Sequence, residues 1–92
     1  MAREEIVLKF KVEFDNPEYN AEYEFNRHES PAFAYGNGTA VTIWRNGTYA
    51  GSVDTRYDRN VVRDFEQWCK DWMKDYFDPS YHPKFSKVVQ NA

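Results

Sequence analysis

The chain carries one cysteine, Cys69, and two histidines, His28 and His82, and these are its only candidates for thiol or imidazole chemistry. A nucleophilic thiol needs a base within hydrogen-bond reach. Cys69 falls inside an apolar stripe of helical period, where burial raises a thiol's pKa and silences it. Neither histidine stands in a recognisable nucleophile motif. Carboxylates are plentiful, but they fall on strand exteriors and along one helix flank, where solvated charges belong. Acid–base pairs sit in clefts with shifted pKa values instead. No phosphate-binding loop, HExxH, CxxC pair or nucleophile elbow occurs in the sequence. The expectation is a non-enzymatic chain with no cofactor and no metal.

Binding is the remaining chemistry, and two charged groupings suggest it. Between positions 13 and 29, Glu13, Asp15, Glu18, Glu22, Glu24 and Glu29 are set against Arg27 alone. Such a patch suits a basic protein surface. The opposite grouping is Arg56, Arg59 and Arg63, at the start of a predicted helix. Free backbone N–H groups there favour anions, and Tyr57 offers a ring to stack on. Asp54, Asp58 and Asp64 in the same stretch offset that potential, so binding of nucleic acid or a phosphate ligand is the alternative reading. A third is a homodimer joined through an apolar face of the second hairpin.

These residues depend on a small set of elements. Ile6, Leu8, Phe10, Val12 and Phe14 alternate with Val7, Lys9, Lys11 and Glu13, the period of a half-buried strand. Asp15-Asn16-Pro17 breaks it, and Ala21, Tyr23 and Phe25 begin an antiparallel return. A symmetric hairpin places Lys11 opposite Glu24. Residues 27 to 38 lose the pattern and read as a loop carrying Phe33 and Tyr35. Asn46-Gly47 then joins two β-rich runs, the strongest short hairpin signal. It sets Trp44 opposite Tyr49 and Ile43 opposite Ala50, and the pattern leaves open which face is buried. The same chemistry accounts for both Asn-Gly-Thr triplets as turns rather than glycosylation sites.

From Asp58 or Asn60 to Asp78 before Pro79, apolar residues recur at helical spacing: Val61, Val62, Phe65, Trp68, Cys69, Trp72, Met73, Tyr76 and Phe77. Most of this stripe reads as core. Its margins, with Trp68 beside Asp64, Asp71, Asp75 and Asp78, and with Met73 and Phe77 beside Arg63, Lys70 and Lys74, are expected to stay partly exposed. The predicted fold is α+β: an antiparallel four-stranded sheet of two hairpins against one long C-terminal amphipathic helix, with a possible short strand over Phe85 to Val89. Residues 1–92 read as one domain whose tail, 79–92, is either a loosely docked arm or that short final strand.

Composition bounds the rest. The net charge is −3, against a general polyanion binder, and 18% of residues are aromatic, enough to fill one small core. No apolar run reaches membrane-spanning length and the first residues do not resemble a signal peptide, so a cytoplasmic location is expected. An acidic, aromatic-rich hairpin followed by a helix, carried by WRNGTYAGSVDTRYD and FEQWCKDWMKDYF, resembles the small accessory proteins of phages and mobile elements, anti-CRISPR inhibitors among them. The resemblance covers about half the chain. It implies a protein that occupies a partner's surface, here a basic one on a nucleic-acid-processing enzyme. The residues expected to do so are Glu13, Asp15, Glu18, Glu22 and Glu24 on the strands, with Trp68, Asp71 and Asp75 on the helix.

Overall fold

A computed structural model describes residues 6–29, 39–55 and 58–88. Phe33, Tyr35, Arg56, Tyr57 and Val89 lie outside them. Five strands, β1 (Ile6–Glu13), β2 (Ala21–Glu29), β3 (Thr39–Arg45), β4 (Thr48–Asp54) and β5 (Lys84–Lys87), form an antiparallel sheet of order β4-β3-β2-β1-β5. Two helices, α1 (Asn60–Arg63) and α2 (Phe65–Tyr76), connect β4 to β5. The class is α+β, with an antiparallel sheet and one main helix.

The alternation in β1 delivers what it implies. Phe10 and Val12 are fully buried on the inner face with Tyr23 and Phe25 of β2 and Val41 and Ile43 of β3, while Lys11 and Glu13 face out. Val61, Phe65, Cys69 and Met73 close this core from the helical side. Phe10 meets Phe25 edge to face at 5.9 Å, a geometry that adds to simple area burial.

Three expectations need correction. The sheet has five strands rather than four, because Lys84–Lys87 pairs with the second edge of β1, from Phe10 opposite Lys87 to Glu13 opposite Lys84. That pairing satisfies ladder groups the first hairpin leaves open, and it turns Phe85 toward the core. The short final strand expected over Phe85 to Val89 is thus present, at Lys84–Lys87. The main helix is neither C-terminal nor long. Asp64 leaves helical geometry (φ −153°, ψ 85°), and its carboxylate accepts the Gln67 amide at 3.2 Å, so α2 starts afresh after it. The predicted loop begins later than residue 27, since β2 continues to Glu29.

The registers differ as well. Lys11 pairs with Glu22, and Lys9 with Glu24. The hairpin is not symmetric because a 3₁₀ turn, Pro17–Tyr19, occupies its connection, with Asn20 accepting the Phe14 amide at 2.7 Å. In the second hairpin Trp44 does face Tyr49, but Ile43 faces Gly51 rather than Ala50, because a bulge between Ile43 and Trp44 shifts the register. Its buried face carries Val41 and Ile43. The turn itself is as the Asn-Gly signal implies, with both Asn46 (φ 50°) and Gly47 (φ 82°) left-handed. Asn46 also bonds Glu22 twice, donating its amide to the Glu22 carbonyl and accepting the Glu22 amide, each at 2.8 Å.

Gly51 sits at φ 153°, although a Cβ there would meet nothing within 4 Å. Gly51→Ala is therefore expected to destabilise by ~1–3 kcal/mol through backbone strain alone, read from urea unfolding. A neutral result would remove the bulge as a conformational constraint.

An ionic staple joins α2 to β5. Glu66 accepts from Lys87 at 2.7 Å and from Lys70 at 3.2 Å. Those bonds, Lys87 first, hold its carboxyl below the ordinary value of 4.5. The folded state thus binds this proton less tightly than the unfolded chain. Its stabilising contribution is present above that value and is lost as pH falls through the lower folded one. Unfolding midpoints measured at falling pH should decline in this window, and the decline should be shallower in Lys87→Met.

Candidate functional site

An opening lined by Phe14, Tyr19, Tyr23, Arg45, Tyr76, Phe77, Asp78 and Tyr81 lies where α2 ends. Pro79 cannot continue a helix and keeps its predecessor out of helical geometry, so the chain leaves α2 at Phe77 in an extended conformation (φ −92°, ψ 137°). The Phe77 ring then returns to the sheet. It meets Phe14 at 5.4 Å, Tyr23 at 5.4 Å, Tyr76 at 5.1 Å and Phe85 at 6.0 Å. Phe77 is thus the floor of a cleft of about 460 Å³.

Three tyrosines form its rim. Tyr19 comes from the 3₁₀ turn between β1 and β2, Tyr76 from the last turn of α2, and Tyr81 from a second 3₁₀ turn, Pro79–Tyr81. They are 53%, 62% and 57% exposed, values that mark them as surface rather than core. Tyr19 lies 6.4 Å from Phe14 and 6.4 Å from Tyr81, and Tyr76 stacks on Trp72 at 4.7 Å.

Two charged groups also line the cleft, Arg45 at the end of β3 and Asp78 after α2. Asp78 caps the second 3₁₀ turn, accepting the Ser80 amide at 2.9 Å, and this bond holds its carboxyl below the ordinary range. Burial pushes the Tyr23 hydroxyl upward, and a hydrogen bond with Arg45 pulls it back. Arg45 forms no ion pair among the described residues.

The sequence-predicted site residues are distributed elsewhere. Glu13, Glu22 and Glu24 lie on the outer sheet face, where Lys9 sits 4.0 Å from Glu22 and 3.6 Å from Glu24. Asp15 and Glu18 are exposed in the connection beside Tyr19. Trp68, Asp71 and Asp75 belong to α2, which covers the inner face, so the two halves of the expected surface are on opposite sides of the sheet. Of the helix margins, Trp68 and Phe77 are partly exposed as expected, but Met73 is not. Met73 is fully buried, and Trp68 is half-buried, stacked on Phe65 and donating its indole N–H to Asp58 at 2.8 Å. Asp71 accepts from the Gln67 side chain at 2.9 Å.

The alternative anion site is built differently from expectation too. Arg59 and Arg63 are exposed around a four-residue helix, and Asp58 already accepts the Asn60 amide at 2.9 Å. Cys69 is fully buried beneath α2, where desolvation raises its thiol pKa, whereas His28 faces outward and bonds Thr42 at 2.9 Å. No group of three or more metal-ligating side chains occurs among the described residues. No helix among them is long and apolar enough to cross a membrane.

A smaller hollow of about 260 Å³ on the outer face holds two buried polar atoms without partners, Asn26 Oδ1 and Trp44 Nε1, beside Lys9, Glu22 and Glu24. It is more enclosed by charge than the tyrosine cleft and far smaller.

The chain matches no protein-family model, no curated protein and no solved structure. Its functional reading therefore rests on the tyrosine cleft and its surroundings. Sequence reasoning missed Phe14, Tyr19, Arg45 and Tyr81 as a group because they are far apart in the chain. The available signal was that aromatic residues stand at the ends of successive elements, next to the Asn-Pro and Asp-Pro breaks.

Asp58 unites two roles, capping Asn60 and holding the Trp68 indole. Asp58→Ala should cost ~1–3 kcal/mol in denaturant unfolding and shift the tryptophan emission. Unchanged stability and emission would remove this link between α1 and α2.

Proposed function

We propose that the protein is a small non-enzymatic interaction module that takes a segment of another protein into its tyrosine cleft. The observation that carries this reading is the concentration of exposed Tyr19, Tyr76 and Tyr81 over an apolar floor of Phe14 and Phe77. Large aromatic side chains left in water at one place are the usual composition of a binding hot spot. They lose little conformational freedom when a partner covers them, and each keeps a hydroxyl for a hydrogen bond.

The acidic surface takes a lesser part in this reading than the strand sequence alone implies. Lys9, Lys11 and Lys84 are interleaved with Glu13, Glu22 and Glu24 on the same face, which lowers its net potential. A role as a phage-type inhibitor or accessory factor fits such a module. It would act by occupying a surface of a nucleic-acid-processing enzyme without doing chemistry on it.

The test compares wild type with a Tyr19→Ala/Tyr76→Ala/Tyr81→Ala variant. Affinity for a partner captured from the native host should fall by roughly thirtyfold or more in the variant, on a hot-spot scale of ~2 kcal/mol. The far-ultraviolet spectrum and thermal midpoint should be nearly unchanged, because all three rings are exposed. Retained affinity in a folded variant would overturn the cleft as the docking surface. Tight binding of single-stranded oligonucleotide, lost on mutating Arg59 and Arg63, would favour the nucleic-acid alternative instead.

A further inference from the structure

We propose that the hollow on the outer sheet face is a second binding site, for a neutral sugar ring with one hydroxyl seated between Trp44 and Asn26. It lies on the face opposite the tyrosine cleft, so the two sites stand or fall separately.

The strand registers bring its residues together. Lys9 of β1, Glu24 of β2 and Trp44 of β3 form one cross-strand row, and Tyr49 of β4 continues it. Asn26 stands in the next row, opposite Val7 and Thr42, which makes it the diagonal neighbour of Trp44. Glu22 and Gly47 complete the lining. Gly47 has no side chain to close the mouth, and its left-handed φ of 82° disfavours one there.

Two atoms decide the ligand chemistry. Trp44 Nε1 carries a donor hydrogen and Asn26 Oδ1 is an acceptor; both are buried without a hydrogen-bond partner among the described residues. Buried polar groups are nearly always paired, so two orphans lining one hollow leave hydrogen-bonding capacity for something else. A hydroxyl between them accepts from the indole and donates to the amide oxygen at once. An ionised carboxylate cannot donate, and an ammonium cannot accept. A trans peptide points its N–H and C=O in opposite directions, whereas these two side chains rise from the same sheet face. A water could also bridge them, but it takes only ~30 Å³, and the hollow holds about 260 Å³. That volume is just below the ~300–1,000 Å³ of drug-sized sites and matches one small ring.

The surroundings select a neutral ligand. Lys9 lies 3.6 Å from Glu24 and 4.0 Å from Glu22, and Lys11 stands opposite Glu22 at the border. Two ammonium groups against two carboxylates favour neither a cation nor an anion. Sugar hydroxyls use both, accepting from Lys9 and donating to a carboxylate. The Trp44 ring, set edge to face against the exposed Tyr49 at 5.6 Å, adds a wall for the C–H face of the sugar.

The experiment titrates the full chain with glucose, galactose and mannose while following amide and indole N–H chemical shifts. At least one should bind saturably, with a dissociation constant on the order of 1–10 mM for so small a ligand. The Trp44 indole signal, assigned by its loss in Trp44→Phe, should move with the bound fraction. The Trp68 indole, already bonded to Asp58 at 2.8 Å, should not. Trp44→Phe removes the donor but keeps a ring, and Asn26→Leu removes the acceptor; each should weaken binding by roughly tenfold. The amino sugar and the uronate of the same ring should each bind less tightly than the neutral sugar. The Tyr19→Ala/Tyr76→Ala/Tyr81→Ala variant should bind it as wild type does. No saturable binding of any of the three sugars, an unmoved Trp44 indole, or unchanged affinity in a folded Asn26→Leu chain would each overturn the inference. So would tighter binding of a charged analogue, loss of sugar binding in the folded triple tyrosine variant, or triglycine moving the Trp44 indole where no sugar does.

Discussion

The length of α2 is the constraint on which the rest of the molecule depends. Its start is set by the Asp64 cap and its end by the Pro79 break, leaving twelve residues, or ~18 Å of helix, to cover the inner sheet face. Phe65, Cys69 and Met73 spend that length over the middle of the sheet. Beyond them the burden passes to one ring. Phe77 leaves the helix and contacts Phe14, Tyr23, Tyr76 and Phe85, tying α2 to β1, β2 and β5 at once. What Phe77 cannot reach stays open, and the tyrosines around it line that opening. The cleft thus opens where α2 ends and the chain turns away at Phe77.

The electrostatics follow a similar logic of position over count. Carboxylates consecutive in the chain do not remain consecutive in space. Lys9 reaches both Glu22 and Glu24 across the β1–β2 pair, and Glu66 draws Lys70 and Lys87 together from a helix and an edge strand. These are exposed or half-exposed pairs, so they orient elements more than they stabilise them. Asp58, Asp64 and Asp78 likewise spend their oxygens on backbone amides at element starts, and Asp58 spends a second one on Trp68. β5, an edge strand of four residues with a lysine at each end, is short and charged enough to discourage pairing with another chain.

How much was legible in advance depends on the range of the interaction that decides each feature. The β1 alternation, the Asn46-Gly47 turn, the break at Pro79 and the apolar stripe of α2 are local patterns, and each was readable because its period or its backbone chemistry is contained within a few residues. Even the restart at Asp64 left a local trace, an aspartate followed three residues later by Gln67, though the continuous apolar stripe around it masked the signal. The membership of β5 in the sheet was only suggested, because four residues with one inward ring carry little periodicity.

The sequence by itself determined an α+β chain with a buried β1 face, a tight second hairpin and an amphipathic helix bounded by an aspartate and a proline. Local sterics and hydrophobic period decide those features without reference to distant residues. Only the tertiary structure decided the register of both hairpins, the burial of Met73, and the gathering of Phe14, Tyr19, Arg45, Phe77 and Tyr81 around one cleft. Those outcomes come from where elements far apart in the chain end relative to one another. No window of the sequence contains that information, because it arises when a short helix and a wider sheet share one core.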